Sequence, residues 1–236
     1  MRIPFKNKLL VLSVLSIIVY VGGCVDTSVQ PIPNQVDYRS QIKIVNLVQG
    51  SNAATLTLNG TSLGSVNFGD ETPATLTFLD IPAGNKVLDV NYGAGSTAEL
   101  KFTANTDYKF RVFLIGTPAN SDFVKVLERY IWQTKDSQNG TALFPADTGQ
   151  VAFFNGSPNT VLNKATINDT LDVTLSLATG SIKNYIKLKA GTYSFKVSYN
   201  DSLQTVFDYN VGSKSRYTVV VYDTLGSIKN KVLVDD

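Results

Sequence analysis

The sequence predicts an all-β protein: two tandem immunoglobulin-like β-sandwiches of about seven strands each, behind a signal peptide and a short tether. Three observations predict it. Beyond residue 40, short runs rich in Val, Ile, Leu, Thr, Tyr and Phe alternate with clusters of Gly, Asn, Asp and Pro. No helical period of useful length interrupts them. The runs also occur twice in the same order, with Gln41 answered by Gln150 (an offset of 109), Gly84 by Gly191 (107) and Tyr108 by Tyr217 (109). Seven strands in roughly 100 residues is the size of one such sandwich.

Residues 1–23 form the first element. Arg2, Lys6 and Lys8 flank an apolar run from Leu9 to Val21, which ends in Val21-Gly22-Gly23-Cys24. A basic region, an apolar region too short for a comfortable span and a small-residue cleavage point describe a signal peptide. The single cysteine of the chain follows the small pair directly, and this arrangement resembles a bacterial lipobox. The resemblance implies that Cys24 is acylated, that the mature chain begins there, and that lipid attaches it to a membrane. Val25, rather than Asp, at the second mature position points to the outer membrane in the enterobacterial sorting pattern, with its face left open. The leader carries three of the 21 basic residues and none of the 19 acidic ones. The mature part is therefore 18 against 19, a formal charge of −1, and no basic patch argues for nucleic acid.

Residues 24–40, polar and carrying Pro31 and Pro33, read as a flexible tether. Residues 41–134 are the first β-sandwich repeat, 135–149 a linker and 150–236 the second repeat. Gln41–Asn46 matches Gln150–Asn155, and Ala54–Leu58 is set against Leu171–Leu175. Leu76–Gly84 matches Tyr185–Gly191, and Val87–Tyr92 matches Tyr193–Tyr199. Leu100–Phe102 is set against Val206–Asp208, Tyr108–Phe113 against Tyr217–Tyr222, and Phe123–Glu128 against Ile228–Val234. Alternation such as Leu88, Val90, Tyr92 against Val87, Asp89, Asn91 predicts one buried face per sheet. Gly84 and Gly191 are read as hairpin positions, where glycine supplies a positive φ. The last run of each repeat is read as an open sheet edge. Without a second cysteine no internal disulfide is available, so each repeat relies on core packing.

A first strand ending in Asn, the Leu58-Asn59-Gly60 hairpin, the Ile81-Pro82-Ala83-Gly84 turn and a following Tyr-led strand together resemble the DUF4397 repeat family. The second repeat lacks the Asn-Gly hairpin and the proline of the turn. The resemblance implies a β-sandwich and a secreted or lipid-anchored place in the bacterial cell envelope. It implies no activity and no catalytic residues.

The chain contains no histidine, which excludes a Ser-His-Asp triad, a Cys-His pair and the usual zinc sites. No cofactor or metal is expected. Tyr130 and Trp132, at i and i+2 on a strand, share a face that either stacks against a sugar or packs between the domains; their place beside the linker favours packing. The acidic turns Asp70-Glu71, Asn168-Asp169 with Asp172, and Asn200-Asp201 offer oxygens, but none has the spacing of a calcium loop, and Asn and Asp are ordinary turn formers. Thr170, Ser202 and Thr224 each follow Asp and precede Leu, which resembles the O-glycosylation sequon of Bacteroidota. The expectation is a non-catalytic binding module whose partner is an envelope protein or a surface polysaccharide. The alternative is a carbohydrate-binding or carbohydrate-active subunit of a surface glycan system.

Overall fold

The computed structural model describes residues 38–131, 133, 146–200 and 203–235. Cys24, Trp132, Ser202 and most of the 135–149 linker lie outside the described residues. The described chain is all-β. Its first half runs β1 (Arg39–Asn46), β2 (Ala53–Leu58), β3 (Thr61–Asn67), β4 (Glu71–Thr72), β5 (Leu79–Pro82), β6 (Gly84–Asn91), β7 (Thr97–Ala104), β8 (Tyr108–Thr117) and β9 (Asn120–Tyr130). The second half runs β10 (Thr148–Asn155), β11 (Leu162–Ile167), β12 (Leu171–Leu177), β13 (Ile182–Lys189), β14 (Gly191–Tyr199), β15 (Leu203–Val211), β16 (Arg216–Tyr222) and β17 (Lys229–Val234).

Each repeat folds into two packed sheets. The outer sheets have the orders β3-β2-β6-β7 and β12-β11-β14-β15. The inner sheets have the orders β4-β1-β8-β9, with β5 also on β1, and β13-β10-β16-β17. Both inner sheets contain a parallel pair, β1 with β8 and β10 with β16. The repeats thus match strand for strand, except that the continuous β13 is replaced in the first repeat by β4, an excursion over residues 73–78, and β5.

This topology corrects three details of the sequence reading, the first being that Tyr217 answers Phe110 by register and not Tyr108. The counterpart of β2 is β11, and that of Leu171–Leu177 is β3, an edge strand that the apolar runs alone did not separate. The turn after β11 is Asn168-Asp169, which takes the place of Asn59-Gly60. All four of these residues have positive φ, and both asparagines make the same bonds: Asn59 Oδ1 accepts from Val87 N–H and Asn168 Oδ1 from Ser194 N–H, each at 2.8 Å. In addition, Gly84 does not close a hairpin. With φ +104 it carries the chain from β5 in the inner sheet to β6 in the outer one.

Between the sheets of the first repeat lies a cluster built on Ile42, Ile44, Leu56, Leu88, Phe110 and Val112. The second repeat has its own, built on Val151, Phe153, Phe195, Val197, Val219 and Val221. The expectation of one buried face per sheet holds for the outer sheets only. The inner sheets are buried on both faces, because a third cluster of Val45, Leu47, Phe113, Phe154, Val220 and Tyr222 joins them. Continuous apolar runs such as Val219-Val220-Val221-Tyr222 are what a strand covered on both sides requires. The result is a stack of four sheets.

The contacts across the middle layer are reciprocal. By register, Gln41 pairs Lys109 as Gln150 pairs Arg216, so Ile115 corresponds to Tyr222 and Leu47 to Gly156. A Cβ on Gly69 would stand 2.5 Å from Tyr222 Oη, and a Cβ on its counterpart Gly180 would stand 3.3 Å from Ile115. Leu47 meets its own counterpart, Gly156, near the centre. Such pairing of like surfaces is the mark of a two-fold relation. The ring of Phe113 stacks on that of Phe154 at 3.9 Å and 14° in the same layer.

Candidate functional site

Polar residues gather where the inner sheets meet. The same faces of β1 and β8 that carry Val45 and Phe113 carry Lys43 and Arg111, both fully buried. Arg111 reaches Glu71 at 3.2 Å, Glu128 at 3.1 Å, and Asp235, the residue after β17. It also donates to the main-chain oxygen of Val234 at 3.1 Å. Lys43 pairs with Glu71 at 2.7 Å. Tyr185 on β13 places its hydroxyl 2.5 Å from Glu128 and 2.8 Å from Asp235, and Thr218 donates to Asp235 at 2.9 Å.

The two-fold relation extends into this seam. By register Phe78 and Tyr185 are counterparts, as are Lys109 and Arg216, while Asp235 answers Arg129 and Glu128 is the extra residue of a bulge in β9. Lys109 lies over the Phe78 ring at 4.4 Å, and Arg216 over the Tyr185 ring at 3.7 Å. Burial works against the charge of Arg111, but Asp235, Glu128 and Glu71 outweigh it and raise its pKa further. Burial and the neighbouring Asp235 push Glu128 up to about 7 against the pull of Arg111. Burial, Asp235 and Glu128 hold the Tyr185 phenol well above its ordinary value. Arg111, Lys43, Glu128 and Asp235 are buried, and of this cluster Glu71 alone lines the groove beside it.

Where the two-fold relation breaks, the surface opens. On one side the continuous β13 lies against β9. On the other side the broken β4–β5 strand leaves a groove of about 420 Å³ against β17. Ser65, Asn67, Asp70, Leu76, Lys231 and Val232 line it, and Leu76 is 72% exposed. Lys231 bridges to Asp70 at 2.6 Å. That hydrogen bond holds Asp70 below its ordinary carboxylate value. The strand β17 ends its sheet. Asp235 donates its N–H to Arg216 at 2.8 Å. Positions 233, 231 and 229 therefore face β16, while 232 and 230 turn their N–H and C=O groups to the open side.

The other residues singled out from the sequence fall elsewhere. Tyr130 packs edge-on against Tyr108 of its own repeat, ring centres 4.9 Å apart. The acidic turns are met by cations: Asp169 pairs with Lys196 and Asp172 with Lys164, both at 3.0 Å. Among the described residues no group of three His, Cys, Asp or Glu is placed to hold a metal ion. Thr170 is exposed in the β11–β12 turn, and Thr224 is half-buried beside Asp223. The sequence reading missed Arg111, Glu128, Tyr185 and Asp235. Their one signal was charge at alternate positions, Lys109 and Arg111, at the head of an otherwise apolar run from Tyr108 to Ile115.

No family model matches the chain, and no curated protein matches it. Among solved structures the chain is similar to a carbohydrate-binding module described as CBMbc (family CBM26) from Eubacterium rectale Amy13K, in complex with maltoheptaose. The identity is 14%, the match covers 82% of this chain and 96% of that one, and the TM-score is 0.25.

Proposed function

We propose that this chain is a lipid-anchored, non-catalytic binding module of the bacterial outer membrane, and that its groove takes an extended segment of another envelope protein. One observation carries the reading: the outward-facing N–H and C=O of Val232 border a groove walled by residues of the 70–76 segment. An added strand binds by such groups, and pockets beside it select side chains. The lipobox-like Val21–Cys24 segment supports the anchor, and the resemblance to DUF4397 repeats supports the envelope location. The lack of histidine supports a role without chemistry, as does the pairing of Glu71, Glu128 and Asp235 with Arg111. A second reading is a glycan-binding module, favoured by the polar wall of Ser65, Asn67, Asp70 and Thr75.

The test is a photo-crosslinking residue at Leu76 of the full chain in its native cells. A protease-sensitive adduct is expected. Val232→Pro should abolish it without lowering the melting temperature, because the 232 N–H is outside the ladder. Cys24→Ala should remove the protein from the membrane fraction. A glycosidase-sensitive adduct would select the second reading, and no adduct at all would sink both.

A further inference from the structure

The hydroxyl of Tyr185 has one proton and two carboxylate neighbours. It lies 2.5 Å from Glu128 Oε2 and 2.8 Å from Asp235 Oδ2. A phenol donates a single hydrogen bond. The second contact is a hydrogen bond only when that carboxyl is itself protonated and donates to the phenol oxygen. With both acids ionised, one of these two contacts would set lone pairs against each other in a buried site, where an unmatched polar group is costly.

Among the described residues, the groups facing this triad come from several strands, Tyr209 of β15 near Asp235 being one. From β8 comes Arg111, which touches both acids, and from β16 come Thr218, on Asp235, and Arg216. The guanidinium of Arg216 covers the Tyr185 ring and donates to the Glu128 main-chain oxygen at 2.9 Å. Beyond Arg111 stand Glu71 on β4, Lys43 on β1, and Lys109, which covers Phe78. Arginine and lysine keep their charge through neutral pH, so the proton of the triad is the group free to change there.

We infer that the seam is a proton-dependent latch: one proton held among Glu128, Asp235 and Tyr185 keeps the two inner sheets closed, and its loss loosens the seam. The latch joins the repeats directly, since Glu128 belongs to β9 and Asp235 and Tyr185 to the second repeat. It stands whatever occupies the groove.

The direction follows from linkage. A carboxyl that binds its proton more tightly folded than unfolded adds stability that is complete below its unfolded pKa. That stability is lost as pH rises through the folded value. For Glu128 the window runs from about 4.5 to about 7. The full chain, unfolded by denaturant at pH 5 to 8.5, should show an unfolding constant that rises by close to tenfold per pH unit within that window. Glu128→Gln, whose amide donates permanently, should flatten this part of the profile and be the more stable protein at pH 8.5. Parallel profiles for the two proteins would overturn the latch. Infrared spectroscopy of the unmodified chain is a second measure, needing no variant. A protonated-carboxyl band that persists above pH 5 and fades near pH 7 is expected, and its absence at pH 5.5 would equally overturn the proposal.

Discussion

Arg111 ties the carboxyl groups of Glu71, Glu128 and Asp235 together inside the molecule, and all three lean on it. Its removal takes the ion-pair partner from the buried Glu128 and Asp235, at a cost of about 3–5 kcal/mol. Arg111→Met should show that loss in denaturant melts at pH 7, and a smaller one at pH 5, where Glu128 has taken up its proton. Arg111→Lys should recover little, because an ammonium cannot span three carboxylates as the guanidinium fork does. An equal loss at both pH values would mean that the carboxyls do not titrate with the seam. The asparagines that end β1 and β10 are equally specific. Asn46 and Asn155 are fully buried. Each caps the N–H two residues on, at 3.1 Å from Val48 and 3.0 Å from Ser157. The amide of Asn155 also donates to Thr160 and Leu177 at 2.9 Å. The match of these asparagines was plain in the sequence, but their role depended on strands 20 residues away.

At the level of elements, alternation identified the outer strands well, because one wet and one dry face write period two into the residues. Leu171–Leu177 and Tyr193–Tyr199 were legible for that reason. The inner strands were found as strands, but the second buried face was not, since a run such as Val219–Tyr222 does not say what covers it. The split of β4 from β5 was also hidden, because Thr72 to Leu79 contains ordinary strand formers around Pro73. Close approach between the inner sheets can be tested by a matched pair of glycines. Gly69 and Gly60 share φ near +80, but only Gly69 faces an atom of the other repeat, Tyr222 Oη. Gly60→Ala should cost about 1–2 kcal/mol, the strain of a left-handed backbone. Gly69→Ala should cost clearly more, because the Tyr222 ring must move within a layer it shares with Phe68. Equal midpoints in urea would show that the layer yields freely.

Across the whole molecule, the two-fold middle layer makes each repeat half of an interface. The cores above and below it are complete, so residues 38–131 and 146–236 expressed separately should each show β circular dichroism. Each should also expose Val45, Leu47 and Phe113, or Phe154, Val220 and Tyr222, a patch that monomers seldom leave open. Pairing of each with itself or with the other is the expected result by sedimentation, with a melting temperature below that of the full chain. Two monomers that melt like the parent would show that the middle layer contributes nothing. The position of β1 has one more consequence. It is the first described strand, and it is hydrogen-bonded on both sides, to β4 and β5 on one and to β8 in parallel on the other. Tension applied at Arg39 and directed along the strand would load both ladders in shear, with many bonds sharing the force at once. Peeled from a free edge, the same bonds would break one after another. A chain tugged from its N-terminal end is thereby built to hold its shape under load.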